Sequence, residues 1–385
     1  TKVLKLIGVE LTAEKMTQIL ELLDFEIKAV QEDTWHILVP TYRVDVTRDV
    51  DIAEELLRIY GFNEVPVPDQ MQISVAAHDP RPEKIERSVL DQLTGNGFYE
   101  IMNNSLAKGT DYTVLLPEVS ASLIEMLNPL SLDLNVMRNN LLFGGLQSIS
   151  FNQKRQQPNL RFFERGKTYG KGSNGYYENT QLDLFAAGAQ GEDYWDSGSQ
   201  PNNYFWMKGL LESLFGRLGL SVSSTTGQHS LYGEYVVFKS GKTTIGCLGT
   251  VHPKVLKHFD IKGAVVHASL NWDQCKNLVL QRGASLFNNL PKFPSVRRDI
   301  ALLVDRSEQY QNLQECILQV GKGLLINVFL FDVYEGDKLP ADKKSYAIGM
   351  IFQDANKTLN DKAVDKTVQR IVDQLNKRTG AVLRQ

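Results

Sequence analysis

Long hydrophobic runs are missing from this 385-residue sequence; none approaches the ~20 apolar residues needed to cross a bilayer. A basic-then-apolar leader is missing too, so no secretory signal is expected, and a chain that opens on Thr1 reads as a piece of something longer. Cysteine is scarce: Cys247, Cys275 and Cys316 are odd in number and far apart. That spacing argues against a disulfide framework or a zinc site, and it fits free thiols in a reducing, cytoplasmic compartment. The six histidines are scattered without a pair at helical spacing, which argues against His-based metal chemistry. No G-x-x-x-x-G-K-[ST] phosphate loop, G-x-S-x-G elbow or H-E-x-x-H helix occurs. "LFGGLQS" (142–148) opens no dinucleotide fingerprint, and the lone His252 in "GTVHPKVL" reads as structural.

What remains is an ordinary soluble globular composition, 42% hydrophobic and 23% charged, long enough for two or three domains. Charge is unevenly placed. Residues 1–70 carry 7 basic against 14 acidic side chains, whereas residues 292–385 carry 15 against 12. An acidic front and a mildly basic tail imply different work at the two ends.

The front reads as a small α+β unit. Thr12 caps a helix whose Met16, Ile19, Leu20 and Leu23 form one apolar stripe, with Leu11 placed to staple onto Met16. "FEIKAV" and "TWHILV" alternate as a strand pair. A second helix, about 50–60, ends near Gly61, and "VPVPDQ" (65–70) reads as a linker. From 71 to 291 strands are frequent and helices do not regularly separate them, which favours an antiparallel sheet with flanking helices. The Gly/Ser/Asn stretch 170–180 reads as a loop. "NLPKFPSVRRD" marks a second boundary, after which the order is β-α-β-β-α-β, the ferredoxin-like order.

Within the second helix Asp51, Glu54, Glu55 and Arg58 fall at i, i+3, i+4 and i+7 on one arc, and Asp45 lies in the extended lead-in. Oxygen-only donors of this kind suit Mg²⁺. Acids in a first turn also compensate the helix dipole, and a solvated acidic face is the commoner outcome, so metal and surface readings both stand. In the tail, Arg297 and Arg298 precede a strand, and Lys338, Lys343 and Lys344 crowd the loop "GDKLPADKK". These five could meet RNA phosphates or simply solubilise the surface.

Three stretches together resemble the β-subunit family of bacterial phenylalanine–tRNA ligases. "YRVDVTRDVDIAEELLRIYGFNEVP" resembles its metal-contact domain. "NPLSLDLNVMRNNLLFGGLQSISFNQKR", with "RFFERGKTY" and "GTVHPKVL", resembles its catalytic-like domain. "FPSVRRDIALLVD" and "KSYAIGMIFQDANKTLNDKAVD" resemble its ferredoxin-fold anticodon-binding domain. The resemblance implies an α+β multidomain chain: a winged-helix-like metal-contact domain at 1–70, an inactive class II synthetase-like domain at 71–291, and the ferredoxin-like domain at 292–385. It implies Mg²⁺ at Asp45, Asp51, Glu54 and Glu55 against an α subunit, and tRNA(Phe) against the tail. It further implies an α₂β₂ assembly whose ATP and phenylalanine sites lie on the α subunit, leaving no catalytic residue in this chain. Family β subunits are longer and carry an editing module, so the chain reads as a C-terminal fragment without that activity. The rival readings are a free-standing Mg²⁺ enzyme and a DNA-binding regulator; the first lacks a nucleophile near the acids, and the second is opposed by the net charge of residues 1–70.

Overall fold

In the computed structural model, residues 2–384 are described except 32–33, 71–72, 75–78, 192–194, 197, 199, 283–288, 338 and 341. The chain divides into two compact units, Thr1–Glu100 and Ile101–Gln385. Residues 71–100 group with the first unit.

The first unit holds α1 (Lys2–Ile7), α2 (Ala13–Leu22), the antiparallel hairpin β1 (Glu26–Gln31) and β2 (Thr34–Leu38), α3 (Asp49–Tyr60), α4 (Arg81–Gly95) and the short β3 (Tyr99–Glu100). Thr12 caps α2 by accepting the Lys15 N–H, as its position predicts. Gly61 ends α3 with φ at +108°, a region that disfavours side chains. Ile19 and Leu20 of α2 meet Ala53 and Leu56 of α3 in one small core.

The second unit opens with β4 (Leu106–Ala107), α5 (Gly109–Leu115), β5 (Val136–Met137) and α6 (Leu142–Gln153). A hairpin follows, β6 (Leu160–Gly172) and β7 (Gly175–Ala187), then α7 (Tyr204–Leu218), β8 (Ser223–Thr226), β9 (Tyr232–Ser240), β10 (Thr243–Val251), α8 (Pro253–His258), β11 (Val265–Asn271) and α9 (Trp272–Gln281). Six of these strands form an antiparallel sheet in the order β6-β7-β11-β10-β9-β8. The expected loop at 170–180 is instead the tip of the β6–β7 hairpin: paired strands continue to Gly172 and resume at Gly175, where φ is +102°. Gly and Asn signalled only the turn itself, and register with β6 extended the strand through the rest.

This sheet is covered on both faces. Leu146 and Ile149 of α6 share a core with Phe162 and Phe185 on one face. A Cβ at Gly145 would run into the Phe185 ring, so the glycine permits the close approach. On the other face Phe215 of α7 meets Phe238 edge-on, ring centroids 5.3 Å apart. His252 caps α8 by accepting the Lys254 N–H, in keeping with a structural role. Cys275 and Cys316 are buried and Cys247 is half-buried; all three are free, and burial pushes the Cys247 thiol up to about 11 and Cys275 to about 12.

The last segment comprises β12 (Val296–Asp305), α10 (Tyr310–Val320), β13 (Leu325–Tyr334), β14 (Lys343–Phe352), α11 (Asp361–Thr379) and β15 (Val382–Leu383), the expected β-α-β-β-α-β order. Its antiparallel sheet runs β13-β14-β12-β15. Asn360 caps α11, and Gly380 ends it in the left-handed region. Leu313 and Ile317 of α10 and Val364, Ile371 and Leu375 of α11 pack on Leu302, Ile348 and Met350, filling one face of the sheet.

Candidate functional site

Two regions carry the candidate chemistry. The first is the acidic stretch of α3 and its lead-in. Asp51 acts at the start of the helix: its Oδ2 accepts the backbone N–H groups of Thr47 at 2.9 Å and Arg48 at 2.7 Å, and its Oδ1 accepts Arg48 Nη2 at 3.1 Å. The Thr47 N–H, then the Arg48 side chain and N–H, hold its carboxyl down at about 2. Glu55 is buried, 6% exposed, between Arg43 Nη2 at 2.7 Å and Arg58 Nη2 at 2.6 Å, which together keep its carboxyl below the usual range. Asp45 takes the other side of the same Arg43, at 3.0 Å, and is also held low by it. Glu54 is exposed and makes no hydrogen bond or ion pair among the described residues.

The donor chemistry of Asp45, Asp51, Glu54 and Glu55 therefore suits a hard cation, but their arrangement in this chain is not a metal cage. Among the described residues no three His, Cys, Asp or Glu side chains are placed to share an ion. Arginine guanidinia occupy the positions a cation would take against Asp45, Asp51 and Glu55. The helical arc places the acids on one stripe, as the spacing predicts; it is silent about Arg43, twelve residues before Glu55, which bridges lead-in and helix.

The second region is the sheet face of the last segment that points away from α10 and α11. Register places Arg297, Ile351 and Asn327 in one row, Asp299, Gly349 and Phe329 in the next, and Leu303, Ser345 and Tyr334 further on. Two residues apart on β13, Phe329 and Phe331 lie side by side with ring centroids 6.3 Å apart, and the register shift between Leu330 and Asp332 puts Tyr334 on the same face. The Arg297 guanidinium lies 5.2 Å over the Phe329 ring and 5.4 Å over that of Phe331, with Asp299 accepting from its Nε at 2.8 Å. A Cβ at Gly349 would strike the Phe329 ring, so this glycine lets the ring lie flat on the sheet. Arg384 stands 5.0 Å over Tyr334. Phe331 remains 50% exposed and the Arg297 side chain 54%. Exposed rings paired with guanidinium planes offer stacking surfaces for unpaired bases and positive charge for the backbone.

Of the basic residues expected here, Arg297 belongs to this face. Arg298 turns aside to Asp361 at 2.6 Å and Asp365 at 3.0 Å at the start of α11. Lys343 and Lys344 lie in β14, not in a loop: Lys343 pairs with Asp305 at 2.6 Å, and Lys344 is 9% exposed with its ammonium 4.8 Å over the Tyr346 ring. Alternation along the strand turns Lys344 to the helix side, which separates it from Lys343. Lys338 lies outside the described residues. Sequence reasoning passed over Phe329, Phe331, Tyr334 and Arg384; the signal was there in the aromatics of "VFLFDVY".

Comparison with known proteins follows the same order along the chain. Residues 1–62 match the tRNA synthetase B5 domain, and residues 291–384 match the ferredoxin-fold anticodon binding domain. Residues 68–272, more than half of the chain, match the phenylalanyl tRNA synthetase beta chain CLM domain. The chain belongs to the phenylalanyl tRNA synthetase beta chain family. It is 37% identical over 398 residues to the phenylalanine–tRNA ligase beta subunit of Bacteroides fragilis (strain YCH46), covering 100% of this chain and 48% of that protein. The beta subunit of Bacteroides thetaiotaomicron is 38% identical over 400 residues, and that of Carboxydothermus hydrogenoformans 35% over 388, each with 48% of its own length covered. The chain thus spans about half the length of these curated relatives. As a beta-chain family member it pairs a synthetase-type antiparallel sheet with a ferredoxin-fold anticodon-binding domain. No helix among the described residues is long and apolar enough to cross a membrane.

Proposed function

We propose that this chain works as the tRNA-binding and assembly portion of a phenylalanine–tRNA ligase beta subunit, with ATP, phenylalanine and the synthetic chemistry on an α subunit of an α₂β₂ cytoplasmic enzyme. The observation that carries the reading is the open aromatic-and-arginine face of a ferredoxin-fold sheet whose sequence matches an anticodon-binding domain. Residues 1–70, 71–291 and 292–385 are the working divisions: metal contact, scaffold and RNA contact. Phe331, Phe329 and Tyr334 stack on unpaired anticodon bases, Arg297 and Arg384 add charge at their edges, and Lys343 and Arg298 supply weaker phosphate contacts from the rim. The middle sheet serves as scaffold, since its two faces are occupied by α6 and α7.

Mg²⁺ at Asp45, Asp51, Glu54 and Glu55 belongs to the assembly in this reading. It requires Arg43 to release Asp45 or Glu55, or further donors from the α subunit, and no chemical step depends on it here. Co-expression with a cognate α subunit, followed by pull-down with and without Mg²⁺ and by a tRNA(Phe) charging assay of the complex extended to full beta-subunit length, tests the proposal. Stable association and charging activity are expected. A chain that neither associates with the α subunit nor binds tRNA overturns the reading.

A further inference from the structure

The last helix carries a row of charge that neither the stacking face nor the core uses. Lys362, Lys366, Arg370 and Lys377 of α11 are all exposed. At ~100° and ~1.5 Å per residue they fall within an arc of about 80° and extend over roughly 22 Å. The arc lies on the side of the helix turned away from the buried Val364, Ile371 and Leu375. None of the four side chains has a hydrogen bond or ion pair among the described residues.

Other basic side chains of the segment are drawn into the protein. Arg297 pairs with Asp299, Arg306 with Glu335 and Lys343 with Asp305. Arg298 takes up Asp361 and Asp365, so these two acids of α11 are spent on the sheet and do not neutralise the row. The acid within the arc, Asp373, accepts from Gln369 at 2.9 Å. The other helix of the layer, α10, has no Lys or Arg.

Such a row is unfavourable for folding alone. Lys362 and Lys366, then Lys366 and Arg370, are like-charge pairs at i, i+4, which repel. Lys362 also stands in the first turn, at the end where the helix dipole disfavours a cation. Cations held in line and left unpartnered are complementary to a line of anions. What else the face holds selects the anion. There is no aromatic side chain on α11, so unpaired bases find nothing to stack on. The helix exposes no large apolar side chain either, so a lipid surface has nothing to receive. Charge at regular spacing remains, and it suits the phosphate backbone of a paired stem, which proteins recognise by shape more than by sequence.

We infer that the outer face of α11 is a second RNA-contact surface, which takes the phosphate backbone of a base-paired stem through Lys362, Lys366, Arg370 and Lys377. The inference rests on the RNA-binding reading of this segment and uses the side of it opposite Phe331.

The test is fluorescence anisotropy of a labelled blunt RNA duplex of about 16 base pairs, titrated with the whole chain at several salt concentrations. Saturable binding that weakens steeply with salt is expected. The triple variant Lys362→Gln, Lys366→Gln, Arg370→Gln is expected to bind at least about tenfold more weakly at low salt, and to flatten the slope of log affinity against log salt by about 1 per side chain. Lys366→Glu alone should weaken the duplex in the same direction, so the test does not depend on the triple variant folding. Lys257→Glu, the same change on an exposed lysine of α8, should leave duplex affinity unchanged. Absence of saturable duplex binding, full affinity in the triple variant, an equal loss on Lys257→Glu, or binding of phosphatidylserine vesicles in place of the duplex would each overturn the assignment. An anticodon stem-loop that Phe331→Ala leaves unaffected would instead count against the stacking face, because the blunt duplex offers no unpaired base.

Discussion

The two large sheets of the second unit share a construction and part company on one face. Each is antiparallel and packs helices on an apolar side. In the sheet of residues 160–271 the second side is filled too: Phe162 and Phe185 lie under α6, and the polar residues on that side bond to one another. Asp183 accepts from Ser269 at 2.6 Å and meets His267 at 3.0 Å, and His267 meets Tyr232 at 2.8 Å. In the sheet of residues 296–383 the second side stays open, with Arg297 over Phe329 and Phe331. A filled face makes a scaffold, because its polar groups are already satisfied; an open aromatic face leaves surface for a ligand that brings its own rings.

The strongest way to break this contrast is to disturb the filled sheet. Arg138→Met removes the partner of Glu164, which is 1% exposed, and a buried carboxylate stripped of its cation costs about 3–5 kcal/mol. Urea unfolding of the whole chain should show that loss, while the folded fraction keeps its RNA affinity. A variant with unchanged stability would mean that the ion pair does not hold the scaffold. On the open sheet the pattern reverses. Phe331→Ala should weaken RNA binding by about 1–3 kcal/mol per stacked base and leave unfolding within about 0.5 kcal/mol of the parent. Lys344→Met sharpens the division within one strand: Lys344 sits on the helix side, so RNA affinity should stay put, and a clear drop in an electrophoretic shift assay would place it on the wrong face.

The smallest effect belongs to the first unit. The Asp51 carboxyl is held at about 2 against an ordinary 3.8, so it contributes stability above roughly pH 4 that is lost as pH falls through about 2. Acid unfolding of Asp51→Asn should therefore converge with the parent below that window and diverge above it. Parallel curves at every pH would show that the helix-start contacts of Asp51 contribute nothing.

Much of this was legible beforehand, for local reasons. Caps at Thr12 and Asn360, the glycine stops, and the β-α-β-β-α-β order depend on neighbours in sequence, and they stand where spacing puts them. Less legible was anything decided across elements. Spacing put Asp51, Glu54 and Glu55 on one stripe, yet Arg43 and Arg58 decide how much free charge that stripe offers. The run of basic residues is likewise divided by the fold, because strand alternation buries Lys344 and Asp361 draws off Arg298. Phe329, Phe331 and Tyr334 share β13, but Arg297 comes from β12 and Arg384 follows β15, and only strand register brings these arginines over the rings.

The central claim is that the open ferredoxin-type face binds RNA by stacking. Its most direct test is fluorescence anisotropy of a labelled tRNA(Phe) anticodon stem-loop titrated with the parent chain and with Phe331→Ala at several salt concentrations. The account predicts salt-sensitive binding by the parent and a loss on Phe331→Ala that persists at every salt concentration, since stacking is not screened. Equal affinities for the two proteins, or no binding by either, would contradict it.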